Sequence, residues 1–290
     1  MSTLSGLVVA AYGKRYSVEL PDGKRMSCVT RGKKTDVACG DQVDIKRTDH
    51  SEGVVEHIHE RRSLLYRSNA FRTKMLAANV TQIVIVLATT PSFYESLLNR
   101  CLIAAEAAGI EALIVLNKCD LADNSAALQQ LAHYSALGYR VQALSAKQDI
   151  APLLPWLQGH VSVLVGQSGM GKSTIVNALL PDQGVRTQEV SAVLDSGKHT
   201  TTAAHLYHLN AESDLIDSPG LQEFGLHHLD IEQLEQAFIE FRPHLGKCRF
   251  NNCRHVHEPD CAIHAAVASG QIQQQRLDYF QELVRELGGA

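Results

Sequence analysis

Hydrophobic and polar positions change rhythm twice along the chain. Up to about residue 66 they alternate in short runs: Leu7-Val8-Val9-Ala10, Tyr16 to Leu20, Met26 to Val29, Gln42 to Ile45 and Val54 to Ile58. Turn signals separate them at Gly13-Lys14, Pro21-Asp22-Gly23-Lys24 and Arg31-Gly32-Lys33-Lys34. Period-two runs with such punctuation predict about five strands closing into a small antiparallel, OB-like barrel. Such barrels bind RNA or oligosaccharide on one face, and a purely structural barrel with a solvated basic surface fits equally well. Glu60 to Arg67, with Arg61, Arg62 and Arg67, reads as a linker that either meets phosphate or is solvated.

From Val80 the runs become continuous. Ile83 to Leu87, Ala112 to Leu116, Val141 to Leu144 and Val161 to Val165 predict buried parallel strands. Helical stretches lie between them. One opens at Pro91-Ser92, repeats Leu97, Leu98, Cys101, Leu102 and Ala105 at helical spacing, and ends at Gly109. Others run near 125–137 and from Thr174 to Leu180, where Pro181 stops the helix. Strands alternating with helices predict a doubly wound α/β domain. Residues 182–203 are rich in Gly, Ser and Thr without period, so they are disordered or functional. His205 to Leu209 reads as an edge strand, and Leu215-Ile216-Asp217 ends another. Beyond Ile231 the pattern is helical, with Arg276, Phe280, Leu283, Val284 and Leu287 on one face. The expected division is a barrel over 1–68, an α/β domain over 69–228 and a helical domain over 229–290.

Composition narrows the class. The 290 residues are 45% hydrophobic and 20% charged, as in a soluble protein of two or three domains. No apolar run reaches the roughly 18 residues of a membrane span, and no signal peptide is visible, so a cytoplasmic protein without membrane partners is expected. Seven cysteines, an odd number, argue against a disulfide framework, and three of them crowd into 248–261. The net charge of −4 gives no global nucleic-acid signature. Residues 1–70 nevertheless carry 12 Lys and Arg against 9 Asp and Glu, whereas 161–230 carry 3 against 8, so a polyanion would meet the N-terminal segment.

The chemistry centres on Gly166-Gln167-Ser168-Gly169-Met170-Gly171-Lys172-Ser173, between the strand ending at Val165 and the helix from Thr174. This order suits a phosphate-binding loop, whose N–H groups and helix N-terminus meet phosphate oxygens. Lys172 would reach the β- and γ-phosphates and Ser173 would ligate Mg²⁺. Asn117-Lys118-Cys119-Asp120 follows another apolar strand. Its carboxylate can accept two hydrogen bonds from guanine, and adenine lacks the matching donor pair. Ser145-Ala146-Lys147 supplies the usual companion, with N–H groups toward guanine O6. Asp217-Ser218-Pro219-Gly220 is a D-x-x-G turn. Its Asp217 would hold Mg²⁺ through water, and its Gly220 N–H would meet the γ-phosphate.

Simple GTPases run phosphate loop, threonine segment, D-x-x-G, N-K-x-D, S-A-K. Here N-K-C-D and S-A-K come first, which a circular permutation explains. Residues 182–203 then occupy the first-switch place, and a threonine among Thr200, Thr201 and Thr202, taken as Thr201, would ligate Mg²⁺. The water-orienting glutamine that often follows D-x-x-G is replaced by Leu221, and His199 is the best substitute. Finally, Cys248, Cys253, His255 and Cys261 make a closed thiolate–imidazole set suited to one structural Zn²⁺, with His257 and, more weakly, His264 as competing ligands.

In this order, the barrel, N-K-C-D, S-A-K, G-Q-S-G-M-G-K-S, G-K-H-T-T-T, D-S-P-G and C-x4-C-x-H-x5-C resemble the bacterial RsgA (YjeQ) family of small-ribosomal-subunit-dependent GTPases over essentially the whole chain. The resemblance implies an OB-fold that binds RNA, a circularly permuted GTPase domain and a C-terminal zinc domain. It implies GTP and GDP as ligands, Mg²⁺ with GTP, and a role in late maturation of the small subunit, whose rRNA it binds and which stimulates hydrolysis. A monomer is expected. It assigns catalysis to His199 and zinc to Cys248, Cys253, His255 and Cys261. The GTP-binding set is Asn117, Lys118, Cys119, Asp120, Ser145, Ala146, Lys147, Gly166, Gln167, Ser168, Gly169, Met170, Gly171, Lys172, Ser173, Thr174, Asp217 and Gly220. The alternative is a nucleotide-gated switch that binds another RNA or a protein. An ATPase is disfavoured by Asn117 to Asp120.

Overall fold

The computed structural model describes residues 3–32, 36–68, 73–121, 123–181, 204–217 and 226–288. His199, Thr201 and Gly220 lie outside the described residues.

The first five strands are β1 (Thr3–Tyr12), β2 (Arg15–Glu19), β3 (Arg25–Thr30), β4 (Gln42–Arg47) and β5 (Glu52–Ile58). They pair in the order β1-β2-β3-β5-β4, and β4 returns to β1, which closes the barrel. All pairings are antiparallel except β3 with β5. Alternation drives the closure. Val8, Tyr16, Val18, Met26, Cys28, Val43, Ile45 and Val55 point inward and form one buried cluster, while on β3 the alternate residues Arg25, Ser27 and Val29 face solvent.

The segment expected as a linker is instead a hairpin, β6 (Leu64–Ser68) with β7 (Thr73–Ala78). Arg61, read as a solvated or phosphate-meeting cation, is bonded inside the protein. Its Nε and Nη2 reach the two carboxylate oxygens of Asp41 at 2.7 and 2.8 Å, and Asp41 is fully buried. The same carboxylate accepts from the Ala38 N–H at 2.7 Å. A fork-on-fork pair of this kind keeps a buried charge matched and fixes direction. Charge counting along the sequence could not see it, because Asp41 lies twenty residues away.

The second body is a parallel sheet of β8 (Gln82–Ala88), β9 (Glu111–Asn117), β10 (Arg140–Ala143), β11 (Val161–Val165) and β13 (Asp214–Asp217), with β12 (Ala204–His208) antiparallel to β13. Its order is β10-β9-β8-β11-β13-β12. Every residue of β8 is buried, as the unbroken apolar run requires of a strand covered on both faces. Helix α1 (Glu95–Ala107) turns Leu98, Cys101, Leu102 and Ala105 onto the sheet. It starts later than Pro91-Ser92 suggested. Helices α2 (Ser125–Ala136), α3 (Leu154–Leu157) and α4 (Lys172–Leu179) complete this body. Trp156 packs: its Nε1 donates to Gln142 at 3.0 Å and Arg140 lies 5.2 Å from its ring centre.

The expected edge strand at 205–209 is no edge. Ala10 pairs with His205 and Ala11 with Ala204, so β12 joins β1 of the barrel and the whole becomes one eleven-stranded sheet. At this joint His208 of β12 reaches Asp214 of β13 through Nδ1 at 2.6 Å and Glu19 of β2 through Nε2 at 2.8 Å.

The tail holds α5 (Ile231–Ala237), α6 (Ala262–Ala268) and α7 (Gln274–Glu286). A capping box between Asp230 and Gln233 starts α5. Phe238, Phe241 and Phe280 stack against one another in the core that the tail shares with α1. Arg276, expected on the apolar face of α7, is indeed buried there. It bonds Glu240 through Nε and Nη2, and its Nη1 reaches Asn99 of α1 at 2.6 Å.

The joint carries a pH dependence. Burial alone would lower the His208 pKa, but the bonds to Asp214 and Glu19 outweigh it and the value rises above the ordinary 6.5. Burial likewise pushes Glu19 up, and His208 and Arg25 overcome that and bring it below 4.5. The histidine contribution is therefore full below 6.5 and is lost as pH rises through the raised value. The Glu19 contribution is present above 4.5 and is lost as pH falls through the lowered value. The stability gap between wild type and His208→Ala should be widest between those two limits. Urea denaturation at about pH 5.5 and about pH 9 checks this; an equal gap at both would refute it.

Candidate functional site

Four chemistry-bearing segments end on one rim of the parallel sheet. Strand β9 delivers Asn117 to Asp120, β10 delivers Ser145 to Lys147, β11 delivers the glycine loop and β13 delivers Asp217. This is the carboxyl edge, where open α/β sheets bind ligands. The permuted order changes which strand comes first in the chain and leaves the spatial set together.

The glycines of the loop are sterically required. Gly166 has φ +148°, and a Cβ there would sit 2.2 Å from the Val86 carbonyl oxygen. Gly171 has φ +93° and caps α4, and a Cβ there would sit 2.4 Å from Asn117 Nδ2. Only glycine combines that backbone with that approach. Ser173 and Thr174 are exposed in the first turn of α4, beside the helix N-terminus.

Asn117 explains the close approach. Its carboxamide is almost wholly buried, at 2% exposure. Nδ2 donates to the Met170 carbonyl at 3.0 Å, and Oδ1 accepts from the Ala146 N–H at 3.0 Å. One side chain thus ties the glycine loop to the S-A-K loop. Lys118, at φ +62°, stretches back over the same loop and donates to the carbonyls of Thr90 and Gly169. Gln167 accepts from the Tyr94 N–H at 2.6 Å, which ties the start of α1 to the glycine loop.

Asp120 is exposed, and its Oδ1 accepts from Ser145 Oγ at 2.5 Å. That bond, against a small opposing burial effect, holds its carboxyl below the ordinary 3.8. It leaves Oδ2 available as an acceptor. Cys119 packs inward, with its Sγ 3.3 Å from the Leu116 carbonyl. Lys147 is exposed.

Lys172 donates to the carbonyls of Gly166 and Gln167, the latter at 2.7 Å, so its ammonium is held over the loop. Burial lowers its pKa, and the charge of Asp217 works against that. Asp217 shows the reverse: burial raises it, and His205 and Lys172 pull it down. His205 stands opposite Asp217 in the β12–β13 register and edge-on to the Tyr12 ring at 5.4 Å. Sequence reasoning did not single out His205; only strand register brings it beside Asp217.

The tail gathers Cys248, Cys253, His255 and Cys261. His255 Nδ1 lies 3.6, 3.5 and 3.2 Å from the three sulfurs in that order, and the Cys248 and Cys261 sulfurs are 3.9 Å apart. A tetrahedral zinc with ordinary bond lengths needs about 3.8 Å between sulfurs and about 3.5 Å from sulfur to nitrogen. The set is therefore suited to hold such an ion. His255 takes the imidazole place by adopting φ +57°. Its Nε2 faces Glu235 at 3.5 Å, an outer carboxylate of the kind that orients metal-bound histidines. His257 is exposed, and His264 instead bonds the His255 carbonyl at 3.2 Å. Glu235 was not foreseen, because it precedes the cluster by more than ten residues.

The chain matches known proteins throughout. A family model described as RsgA GTPase matches residues 58–227. The chain is 51% identical over 285 residues to the small ribosomal subunit biogenesis GTPase RsgA of Nitrosospira multiformis, covering 98% of this chain and 91% of that protein. It is 52% identical over 282 residues to the protein of the same name from Neisseria meningitidis, covering 97% and 92%. Among solved structures, YjeQ from Thermotoga maritima matches with TM-score 0.77 at 29% identity over 100% of both chains. YloQ, described as a circularly permuted GTPase, matches with TM-score 0.73 at 27% identity over 99% and 96%.

Truncating Asn117 to Ala should leave the Met170 carbonyl and the Ala146 N–H without their partner, at a cost of about 1–3 kcal/mol. Asn117→Asp keeps the acceptor but sets a buried carboxyl oxygen against the Met170 carbonyl in place of the donor, and should lose at least as much. Chemical denaturation of the three proteins checks this; variant midpoints equal to that of wild type would contradict the bridging role.

Proposed function

The chain belongs to the RsgA GTPase family and is a GTPase, and on that footing we propose that it serves small ribosomal subunit biogenesis, late in maturation, in the cytoplasm where those subunits are assembled. In this reading it binds rRNA through its barrel, and the subunit stimulates its hydrolysis of GTP. The observation that carries the nucleotide assignment is Asn117, whose two hydrogen bonds hold the phosphate loop and the base loops as one unit.

Within that unit each group has a role. The N–H groups of Gly169 to Lys172 and the start of α4 receive the β-phosphate. Lys172 exchanges its bonds to the Gly166 and Gln167 carbonyls for oxygens of the β- and γ-phosphates. Asp120 accepts from guanine N1–H and the exocyclic amine, while Ser145 holds the carboxylate in place. Ser173, Thr201 and, through water, Asp217 would hold Mg²⁺, which supplies charge neutralisation between the phosphates. Asp217 fits that task, because it is a carboxylate withdrawn from solvent on the rim beside the loop. The Gly220 N–H meets the γ-phosphate. His199 positions the attacking water. Cys248, Cys253, His255 and Cys261 would hold one structural Zn²⁺, whose closed shell leaves no place for substrate.

Two outcomes test this. Asp120→Asn should shift preference from guanosine toward xanthosine triphosphate by about a hundredfold or more, since an amide nitrogen faces the guanine donors; nucleotide competition measures it, and an unchanged preference would remove Asp120 from the base site. GTP turnover by wild type should rise when purified small ribosomal subunits are added. In His199→Ala that rise should vanish while GTP affinity stays. No rise in wild type would leave the reading of a switch acting on another RNA or on a protein.

A further inference from the structure

A second cluster of metal-ligating side chains lies on the barrel, remote in sequence from both sites above. It consists of Asp44 on β4, His57 on β5 and His59 just beyond β5. Strand periodicity assembles it. His57 and His59 are two residues apart in extended chain, so their imidazoles share one face. Asp44 pairs directly with His57 across the β4–β5 ladder, next to an irregularity in register between Asp44 and Ile45. The His59 N–H bonds the Gln42 carbonyl at 2.9 Å, which prolongs the pairing and keeps His59 on the sheet.

The ligand atoms converge. Asp44 Oδ1 is 3.0 Å from His59 Nε2, and its Oδ2 is 3.8 Å from His57 Nδ1. The two rings lie 5.5 Å apart, and one nitrogen or oxygen from each of the three residues falls within 4.8 Å of the others. Two imidazoles and a carboxylate at such spacing can sit around a single ion of the first transition row. Nitrogen donors favour Zn²⁺, Ni²⁺ or Cu²⁺ over Mg²⁺ and Ca²⁺.

The cluster differs from the thiolate set in kind. It has no sulfur, so it is a harder site. It has three protein ligands, so at least one position stays open. Its histidine side chains are 69% and 42% exposed, so an ion there exchanges with solvent and is bound less tightly than one enclosed by the tail. We propose that Asp44, His57 and His59 form a second, solvent-accessible divalent transition-metal site on the outer face of the barrel, which binds Zn²⁺ with an exogenous ligand completing its shell.

The test uses the full chain, free of any histidine tag, with the tail cluster already loaded by one equivalent of Zn²⁺. Calorimetric titration with further Zn²⁺ should show one additional site. The double variant His57→Ala/His59→Ala should lose that site. Asp44→Asn, which keeps shape and removes charge, should weaken it by about tenfold or more. Cobalt gives an independent reading. Co²⁺ in the tail cluster shows sulfur-to-metal charge transfer, and Co²⁺ in the barrel site adds ligand-field bands without it. Loss of those bands alone in the double variant supports the site. A wild-type chain that takes up no further Zn²⁺, or a double variant that takes up as much as wild type, overturns it.

Discussion

The arrangement depends on one buried carboxamide. Asn117 ends β9, yet its two hydrogen bonds fall on loops that follow β11 and β10. Neither loop is held by a strand ladder at that point, so the side chain does what a ladder would otherwise do. It also dictates sequence elsewhere: position 171 must be glycine, because the amide nitrogen occupies the place of a Cβ. This is why permuting the chain leaves the site intact. What must persist is the neighbourhood of three strand ends, and Asn117 enforces that neighbourhood whatever the order in which the chain visits them.

The second joint is strand β12. It pairs with β1 on one side and β13 on the other, so the barrel and the parallel sheet share hydrogen bonds rather than a hinge. His205 stands on it, opposite Asp217 in one register and Ala10 in the other. The strand begins at Ala204, directly after the threonine segment. Asp217 of β13 and the barrel strand β1 are therefore neighbours of one and the same strand. The charged triad Glu19, His208 and Asp214 adds a polar clamp at the same joint, strongest in mildly acidic solution.

Much of this was legible in residue order. Continuous apolar runs marked β8, β9 and β11, because strands buried on both faces have no polar side to show. Alternation marked the barrel, because its strands do. The phosphate and base motifs were visible because their chemistry demands fixed residues at fixed spacing. What escaped was set by partners distant in sequence. Arg61 looked like a free cation until Asp41 was found beneath it. The hairpin β6–β7 hid behind arginines that read as a connector. Strand β12 looked like an edge because its alternation is weak, and weak alternation also describes a strand buried between two neighbours. Among the competing imidazoles, spacing alone left His257 open; the fold turns His255, on a left-handed backbone, onto the three sulfurs.

That backbone also bears on what an ion in the cluster would do for the tail. Between α5 and α6 lie Arg242 to Cys261, a stretch with one short 3-10 turn and no longer element. Two of its residues, His255 and Asp260, sit at φ near +57°, a region that costs ordinary side chains free energy. Nothing in local propensity favours such a path. Its order comes from convergence: three sulfurs and a ring nitrogen drawn to one point, with Phe241 and Phe280 packed about the ring. The rest of the tail borrows stability from the main body, through Arg276 to Asn99 and through the shared apolar core. Leu245 and Val256 give the loop only partly buried apolar contacts, so an ion that tied the four groups would offset its ordering cost. The barrel cluster stands in contrast. Asp44 and His57 already belong to a closed ladder, so an ion there would add a ligand position to a fold that stands without it.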